Sequence, residues 1–320
     1  MIISKTPLRI SFVGGGSDNL INQKDFEGKV LSTTINKFVY LCVNKKFDNN
    51  IRFSYSITEN VSRSFKLHHP IARNVLKHFK ISNGLEISSI ADIPSSGSGL
   101  GSSSAFLVGL INCLNSYKNK TMSKKDLAKL ACNIELIKMR QPIGMQDQYS
   151  AAYGGFNSMI FKNNKVIVNK FLLNIERLKK FEESLVLVST NKTRDANTIL
   201  RNVKNIKNIK SLKEIVNLVD IFKYELCYGD INNLGRILHE SWIKKKELSR
   251  NVSNNYLDSI YSYALKQGAL GGKLLGAGGG GFFLFFINKN YKKIFLNKMK
   301  KFDIVDFNFY NLGSKIIYND

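Results

Sequence analysis

Residues 94–105 read PSSGSGLGSSSA, and this segment constrains the fold more than any other part of the chain. It follows a strand-like pattern at residues 85–90 and leads into an apolar helical pattern at residues 104–117. Glycines let main-chain N–H groups approach an anion closely, and a helix N-terminus adds unpaired donors and a partial positive charge. The segment therefore predicts a loop that holds phosphate groups between a strand and a helix.

Spacing excludes other well-known phosphate loops. A Walker A loop needs Lys-Ser or Lys-Thr after its last glycine, whereas Gly101 is followed by serines, and the HRD and DFG sequences of protein kinases are absent. Residues 273–282, KLLGAGGGGF, contain a GxGxxG pattern, but a strand pattern follows it where a dinucleotide-binding fold needs a helix. A tight glycine hairpin that packs against bound phosphates is the better interpretation.

A third glycine-bearing segment, TPLRISFVGGGSD, occupies residues 6–18. It predicts a strand that runs into consecutive glycines, and a strand end that reaches a cleft is a common place for substrate groups. By itself the pattern is also typical of a strand and a turn, with Asp18 as an ordinary turn cap.

Two carboxylates lie in helical patterns after the loop. Glu135 is on or beside an apolar face, where it needs a partner, and Mg²⁺ would be one; a solvated glutamate at the edge of that face is the alternative. Asp147 falls in the first turn of the next helix, where the helix dipole favours its ionised form. It suits a carboxylate that accepts a hydroxyl proton, although aspartates at helix starts are usually only caps.

The chain of 320 residues is long for a single core and predicts two domains with a cleft between them. Residues 1–178 carry most of the strand patterns together with the phosphate loop. The polar segment at residues 174–183 is the expected boundary. Residues 179–320 alternate strand and helix patterns, which predicts an α+β fold with helices over an antiparallel sheet.

The formal charge of +24 would by itself suggest an anionic partner such as nucleic acid. Lysine is spread along the chain, however, and its densest patches, at residues 204–213 and 289–301, alternate with apolar residues at helical spacing. This pattern is typical of solvated helix faces. We therefore expect no nucleic acid partner, and we expect the charge to steer small anionic substrates.

The four cysteines lie far apart without a CxxC pair, so we interpret them as reduced core thiols. The N-terminal residues lack the apolar stretch and cleavage site of a secretory signal. No run approaches the roughly 18 apolar residues that cross a bilayer. We expect a cytoplasmic protein without a membrane partner.

Taken together and in their order along the chain, the glycine-bearing segments at residues 6–18, 94–105 and 273–282 resemble motifs one, two and three of the GHMP kinases, the superfamily of galactokinase, homoserine kinase and mevalonate kinase. The resemblance spans essentially the whole chain, and PSSGSGLGSSSA is its most specific part. It implies a two-domain α+β fold, with an N-terminal domain like domain 2 of ribosomal protein S5 and a ferredoxin-like C-terminal domain. It also implies ATP and Mg²⁺.

The resemblance implies roles for individual residues. Ser103 and Glu135 match the family's magnesium ligands, Asp147 matches its proposed base, and Arg9 occupies the position of a basic residue close to that aspartate. The implied phosphate loop for ATP comprises Ser96, Gly97, Ser98, Gly99, Leu100, Gly101, Ser102, Ser103 and Ser104. The implied substrate-binding residues include Gly15, Gly16, Ser17, Asp18, Asp147, Gln148, Gly278 and Gly279.

Within the superfamily, the GGGSD ending, the run GMQDQYSAAYGGFN and the segment STNKTRDA look most like the D-glycero-D-manno-heptose 7-phosphate kinases, whereas galactokinases usually carry GEHTD in place of GGGSD. The resemblance implies phosphorylation of the anomeric hydroxyl to give the 1,7-bisphosphate, for GDP-heptose and surface polysaccharide synthesis. A substrate that already carries phosphate needs cations, so we predict that Lys192, Thr193 and Arg194 contact it.

Other interpretations stay open at this point. The chain could be another sugar kinase of the fucose or galactose type, or a catalytically silent kinase-like sensor. The presence of Ser103, Glu135 and Asp147 together argues against a silent sensor. The oligomeric state is also open, with a homodimer as one option.

Overall fold

The structure is a computed structural model that describes residues 1–20, 26–93, 97–192 and 209–320, apart from the side chains of Leu20 and Arg250. Its strands are β1 (Ile2–Val13), β2 (Gly28–Lys45), β3 (Ile51–Ser54), β4 (Thr58–Val61), β5 (Leu85–Ala91), β6 (Asn157–Lys162), β7 (Lys165–Lys170), β8 (Leu185–Ser189), β9 (Ala269–Leu274), β10 (Phe282–Ile287), β11 (Ile304–Val305), β12 (Phe309–Tyr310) and β13 (Lys315–Asn319). Its α-helices are α1 (Pro70–His78), α2 (Ser102–Tyr117), α3 (Lys124–Cys132), α4 (Gln146–Tyr153), α5 (Ile175–Glu183), α6 (Ile209–Cys227), α7 (Asn233–Leu248), α8 (Asn255–Lys266) and α9 (Lys292–Lys298).

The larger sheet is organised around β2, which is long enough to pair with β1, β5, β6 and β12. All of these pairs are antiparallel, and only β3 and β5 run parallel within the described sheet. Side chains such as Leu8 and Ile10 on β1 and Leu41 on β2 are almost fully buried. Their burial against α2 supplies the apolar stabilisation that this half of the chain needs.

Helix α2 lies very close to β1 because its middle residue is a glycine. A Cβ on Gly109 would lie 2.8 Å from Thr6 Oγ1 and 3.1 Å from Ser4 Oγ. The Ser4 hydroxyl instead donates a hydrogen bond to the Gly109 carbonyl oxygen at 3.0 Å. This close approach sets the position of the helix N-terminus, and therefore of the glycine loop, relative to the end of β1.

The second sheet is antiparallel, in the order β11-β8-β10-β9, and its apolar side chains pack under helices of the second half. Trp242 on α7 lies edge-on to Phe283 on β10, with ring centroids 5.8 Å apart, and both side chains are fully buried. This arrangement confirms the predicted α+β class. None of the helices in the described ranges is both long and apolar enough to cross a membrane.

The C-terminal residues return to the first sheet, where β12 pairs with β2 and β13 pairs with β1. Glycines make room for this return, since a Cβ on Gly154 would overlap the main chain of Leu312. The division into residues 1–178 and 179–320 remains a prediction, and the strand pairing adds that the last strands of the second range belong to the sheet of the first.

Two helical segments differ from expectation. The predicted boundary at residues 174–183 forms α5, which Asn174 caps and which buries Phe181 in the larger core. The helix predicted from residue 123 to about 140 changes from α-helix to π-helix at Asn133–Lys138. Because π-helical turns are frequent at functional sites, the position of Glu135 in this turn makes it a candidate functional residue.

Candidate active site

A cavity of about 740 Å³ lies where four parts of the chain come together. They are the end of β1, the glycine- and serine-rich loop before α2, the start of α4, and the glycine-rich segment that begins at Lys273. Seven of the described loop residues line it: Gly97, Ser98, Gly99, Gly101, Ser102, Ser103 and Ser104. The Leu100 side chain is instead buried in the core and is not part of the lining. The segment at residues 6–18 contributes Arg9, Ser11, Gly15, Gly16 and Asp18, and the next residue, Asn19, also lines the cavity. The segment at residues 273–282 contributes Lys273, Gly276 and Ala277. The fold therefore brings all three glycine-bearing segments to one cavity.

The loop delivers the N-terminus of α2 to this cavity. Gly101 is the N-cap residue, in the left-handed region at φ +76°, which a glycine adopts without steric cost. The Ser98 and Ser102 hydroxyl oxygens lie 2.8 Å apart, and Arg9 N donates to the Leu100 carbonyl oxygen at 2.9 Å. The first contact braces the loop internally, and the second ties the loop to β1. Ser96 lies outside the described residues.

The segments at residues 94–105 and 273–282 meet main chain to main chain. A Cβ on Gly99 would lie 2.5 Å from the Leu275 carbonyl oxygen, and one on Gly276 would lie 2.5 Å from Gly99 Cα. Side chains at these positions would push the segments apart. The glycine hairpin at residues 275–281 therefore supports the phosphate loop from behind.

Arg9 and Asp147 form a bidentate ion pair inside the cavity. Arg9 Nε and Nη2 each donate to a different carboxylate oxygen of Asp147, at 2.8 Å. The third guanidinium nitrogen, Nη1, donates to the Gly99 carbonyl oxygen. A Cβ on Gly101 would lie 3.5 Å from the Asp147 carboxylate, so the carboxylate borders the phosphate loop directly. This geometry brings a proton acceptor and a cation to the end of the phosphate loop.

Glu135 is buried at the base of the loop helix. Its Oε2 accepts hydrogen bonds from Gln148 Nε2 at 2.7 Å and from the Ser104 hydroxyl at 3.0 Å. Burial raises the pKa of Glu135 to about 7, although bonds from Gln148, Ser104 and Ser103 oppose that rise. A divalent cation would relieve the cost of burying the charged form, and the oxygen donors of Glu135 and Ser103 suit Mg²⁺. The residues present therefore fit a magnesium site.

Asp18 is a second buried carboxylate in the cavity. It accepts hydrogen bonds from the main-chain N–H and the side-chain amide of Gln146, both at 3.1 Å, and from Gly16 N at 3.3 Å. Gly144 lets the carboxylate approach this closely, since a Cβ there would overlap it. Burial raises the pKa of Asp18 to about 6, with the nearby Asp147 charge adding to the rise. Asp18 is thus more than the turn cap that a lone motif would suggest.

Lys273 is a functional candidate that the sequence reasoning missed. Its side chain is fully enclosed, lines the cavity, and donates from Nζ to the Phe12 carbonyl oxygen at 2.7 Å. Burial, together with repulsion from Arg9, lowers the pKa of Lys273 to about 7. The residue stands first in KLLGAGGGGF, and the strand pattern at that point was the only available signal that its side chain turns inward.

Three aromatic side chains, Tyr55, His69 and Phe106, form another part of the cavity wall that the sequence reasoning did not find. The His69 ring centroid lies 4.8 Å from that of Tyr55 and 5.0 Å from that of Phe106. Desolvation lowers the pKa of His69, which favours its neutral form. Because these residues come from three separate elements, no local pattern could have grouped them.

Several predicted substrate residues lie away from the cavity lining. The Ser17 hydroxyl donates to the Gly14 carbonyl oxygen at 2.8 Å, and Gln148 is fully buried behind Glu135. Gly279 N donates to the Val252 carbonyl oxygen, and the Lys192 ammonium lies 5.6 Å from the Tyr256 ring centroid. Gly278, like these residues, is absent from the described lining. Thr193 and Arg194 lie outside the described residues, so their role stays a prediction.

A phosphate loop at a helix N-terminus, a buried carboxylate beside a serine, and an arginine–aspartate pair at the end of the loop are the parts of a phosphotransferase. The family profiles of the GHMP kinases match the chain at residues 66–155 for the N-terminal domain and at residues 210–304 for the C-terminal domain. A D-glycero-alpha-D-manno-heptose 7-phosphate kinase of Campylobacter jejuni is 34% identical over an alignment that covers 98% of both chains. The chain belongs to the GHMP kinases.

Two further proteins are similar to most of this chain. A D-glycero-D-manno-heptose 1-phosphate kinase structure from Bacteroides thetaiotaomicron superposes with a TM-score of 0.81 and 25% identity over the full length of both chains. The bifunctional fucokinase/GDP-fucose pyrophosphorylase of Arabidopsis thaliana is 26% identical over 87% of this chain and 29% of its own length. The full-length superposition confirms the predicted two-domain GHMP kinase fold.

Proposed function

We propose that this protein transfers the γ-phosphoryl group of ATP to the anomeric hydroxyl of D-glycero-D-manno-heptose 7-phosphate, giving the 1,7-bisphosphate. The observation that most supports phosphoryl transfer is the Arg9–Asp147 ion pair. It lies against Gly101 of the phosphate loop and in the same cavity as Asp18. The similarity to the Campylobacter heptose 7-phosphate kinase, which covers nearly both entire chains, supports the choice of sugar.

The chemistry needs a hydroxyl oxygen in line with the γ-phosphorus. As that oxygen forms its bond to phosphorus, the bond to the β-phosphate bridging oxygen breaks, the hydroxyl proton passes to an Asp147 carboxylate oxygen, and ADP leaves. Arg9 orients Asp147 by the bidentate contact and adds positive charge beside the transferring group. Positioning and charge neutralisation supply much of the catalysis in phosphoryl transfer.

Other residues bind the rest of the nucleotide and the metal. The loop N–H groups and serines contact the phosphates of ATP. The aromatic cluster of Tyr55, His69 and Phe106 supplies an apolar surface for the adenine ring. Ser103 and Glu135 are the proposed ligands of Mg²⁺, which when bound neutralises charge on the phosphate oxygens.

The test is ATP- and Mg²⁺-dependent ADP release across a panel of acceptors. The panel contains the heptose 7-phosphate, the free heptose, mannose, galactose and, because of the fucokinase relative, L-fucose. We expect the highest kcat/KM with the heptose 7-phosphate and a product phosphorylated at the anomeric oxygen, as read by ³¹P NMR. Preference for a free sugar, or release of ADP at the same rate without any acceptor, would contradict the proposal.

A further inference from the structure

Lys245 is the buried one of three consecutive lysines near the end of α7. Lys244 pairs with Glu214 at 2.7 Å, and Lys246 pairs with Asp258 at 3.2 Å. The Lys245 side chain turns the other way: it is 8% exposed and lines the cavity. Lysine is almost never buried unless its charge is compensated, so the contacts of this ammonium group show what it does.

The Lys245 ammonium group reaches from α7 to the start of the glycine hairpin at residues 275–281. Its Nζ donates to the Leu274 carbonyl oxygen at 3.2 Å and to the Gly276 carbonyl oxygen. Hydrogen bonds from a charged donor are stronger than those between neutral groups. One side chain of α7 therefore fixes two carbonyl groups that stand on either side of Leu275.

The residue between these two carbonyl groups meets the phosphate loop. A Cβ on Gly99 would lie 2.5 Å from the Leu275 carbonyl oxygen. The hairpin meets the loop again at its other end, where a Cβ on Gly281 would lie 2.4 Å from the Ser98 carbonyl oxygen. Because closely packed segments transmit displacements, a shift of the hairpin would move the loop that holds the phosphates.

The composition of the hairpin explains why it needs to be held from outside. Five of its seven residues are glycines at positive φ, and glycine gives up more backbone freedom on folding than any other residue. Contacts with other elements must therefore select its conformation. Gly279 N donates to the Val252 carbonyl oxygen at 2.7 Å in the middle of the hairpin, and Lys245 holds its start.

We propose that Lys245 is a positioning residue for phosphoryl transfer, which holds the glycine hairpin against the phosphate loop and so keeps the loop N–H groups in place for the triphosphate of ATP. It acts through Leu275 and Gly99 and not on the reacting atoms. This inference rests on the proposed function, because it assigns a role within the same site.

The role predicts two effects of removing the ammonium group. Lys245→Met keeps the length of the side chain but loses the donors, so the two carbonyl groups lose their partner and the melting temperature of the free protein should fall by a few degrees. The Kd of ATP should rise roughly tenfold, because the loop is no longer held in place. The KM of the sugar phosphate should change little.

The experiment measures the melting temperature, the Kd of ATP by calorimetry without acceptor, and initial rates for the wild type and three variants. Lys245→Arg keeps charged donors and should recover most of the ATP affinity that Lys245→Met loses. Lys246→Met is the matched control, since it removes only the ion pair with Asp258 and should leave the Kd of ATP unchanged. If Lys245→Met does not fold, Lys245→Gln, whose amide still donates, is measured by the same criteria.

The two readouts together distinguish positioning from other roles. A lower melting temperature with a wild-type Kd of ATP would mean that Lys245 serves only the fold, and the inference would be overturned. Weaker ATP binding without a lower melting temperature would mean that Lys245 contacts the nucleotide directly, which also overturns it. Both quantities are measured without a sugar, so they judge this inference even if the wild type phosphorylates no sugar and the proposed function fails.

Discussion

Arg9 holds Asp147 by two parallel hydrogen bonds of 2.8 Å, across 138 positions of sequence. Arg9 lies in the middle of a central strand and is 4% exposed, whereas Asp147 lies in the first turn of α4 at the edge of the cavity. The pair therefore joins the sheet to the helix that carries the proposed base. It also ties both to Gly99 of the phosphate loop, whose carbonyl oxygen accepts from Arg9.

Replacing Asp147 by asparagine should lower kcat by roughly a hundredfold or more, because the amide keeps the shape of the carboxylate but does not take up the hydroxyl proton. The dissociation constant of ATP, measured by calorimetry, should change little. Turnover at the wild-type rate in Asp147→Asn would refute the assignment of the base.

Replacing Glu135 by glutamine should raise the Mg²⁺ concentration at half-maximal activity by about tenfold or more, because one charged ligand is lost. The amide oxygen still accepts from Ser104 and Gln148, so the fold is kept. Asp126→Asn, which alters an exposed residue in the first turn of α3, is the control. A magnesium titration that coincides with that of the control would remove Glu135 from the metal site.

The stability of the protein should depend on the ionisation of Asp18. Its folded-state pKa of about 6 lies above the ordinary value of 3.8, so its contribution to stability is complete below pH 3.8 and is lost as the pH rises through 6. The Asp18→Asn variant has no carboxylate to ionise, so it does not lose stability over this pH range. Its free energy of unfolding in urea, relative to wild type, should increase by about 3 kcal/mol between pH 4 and pH 7. A difference that stays constant with pH would contradict the assignment.

The ionisation of Lys273 should make stability rise with pH in the alkaline range, which is the opposite trend. Its folded-state pKa of about 7 lies below the ordinary 10.5, so the unfolded chain binds more protons and the wild type gains stability as the pH rises between these values. Lys273→Met should stabilise the free protein at pH 7, and this advantage should shrink by about 3 kcal/mol at pH 9.5. Lys125→Met, at an exposed position, is the control. An advantage independent of pH would indicate that packing alone is responsible.

The contact between the segments at residues 94–105 and 273–282 can be tested by alanine at Gly99. Gly84 is the control, because both glycines have positive φ values, +75° and +68°, but a Cβ on Gly84 would meet nothing within 4 Å. Gly84→Ala should cost about 1 kcal/mol from backbone strain, and Gly99→Ala about 2 kcal/mol more because its Cβ collides with Leu275. Equal losses in urea unfolding would show that the two segments do not depend on this approach.

Much of the fold could be predicted because its signals are local. The strand, loop and helix around PSSGSGLGSSSA follow from apolar periodicity, from glycines at positive φ and from a serine-rich helix start. The break near residue 140 was also predictable, whereas the π-helical turn at Glu135 was not, since it depends on how the end of that helix packs.

The loop and the carboxylates Glu135 and Asp147 were picked out from local patterns, and the family resemblance then gave them roles. Those roles remain predictions that the experiments above address. Lys273 and the cluster of Tyr55, His69 and Phe106 carried no motif, because their meaning depends on which elements lie opposite them.

The sequence by itself determined the α+β class, the three glycine segments and the family, since each depends on the identity and spacing of neighbouring residues. Only the tertiary structure decided that Arg9 pairs with Asp147, that the Ser11 hydroxyl finds no hydrogen-bond partner in the part of the chain that is described, and that β13 returns to β1. The physical reason is that periodicity tells which face of an element is buried but not what covers it. Partners far apart in sequence are chosen by the packing of the whole chain.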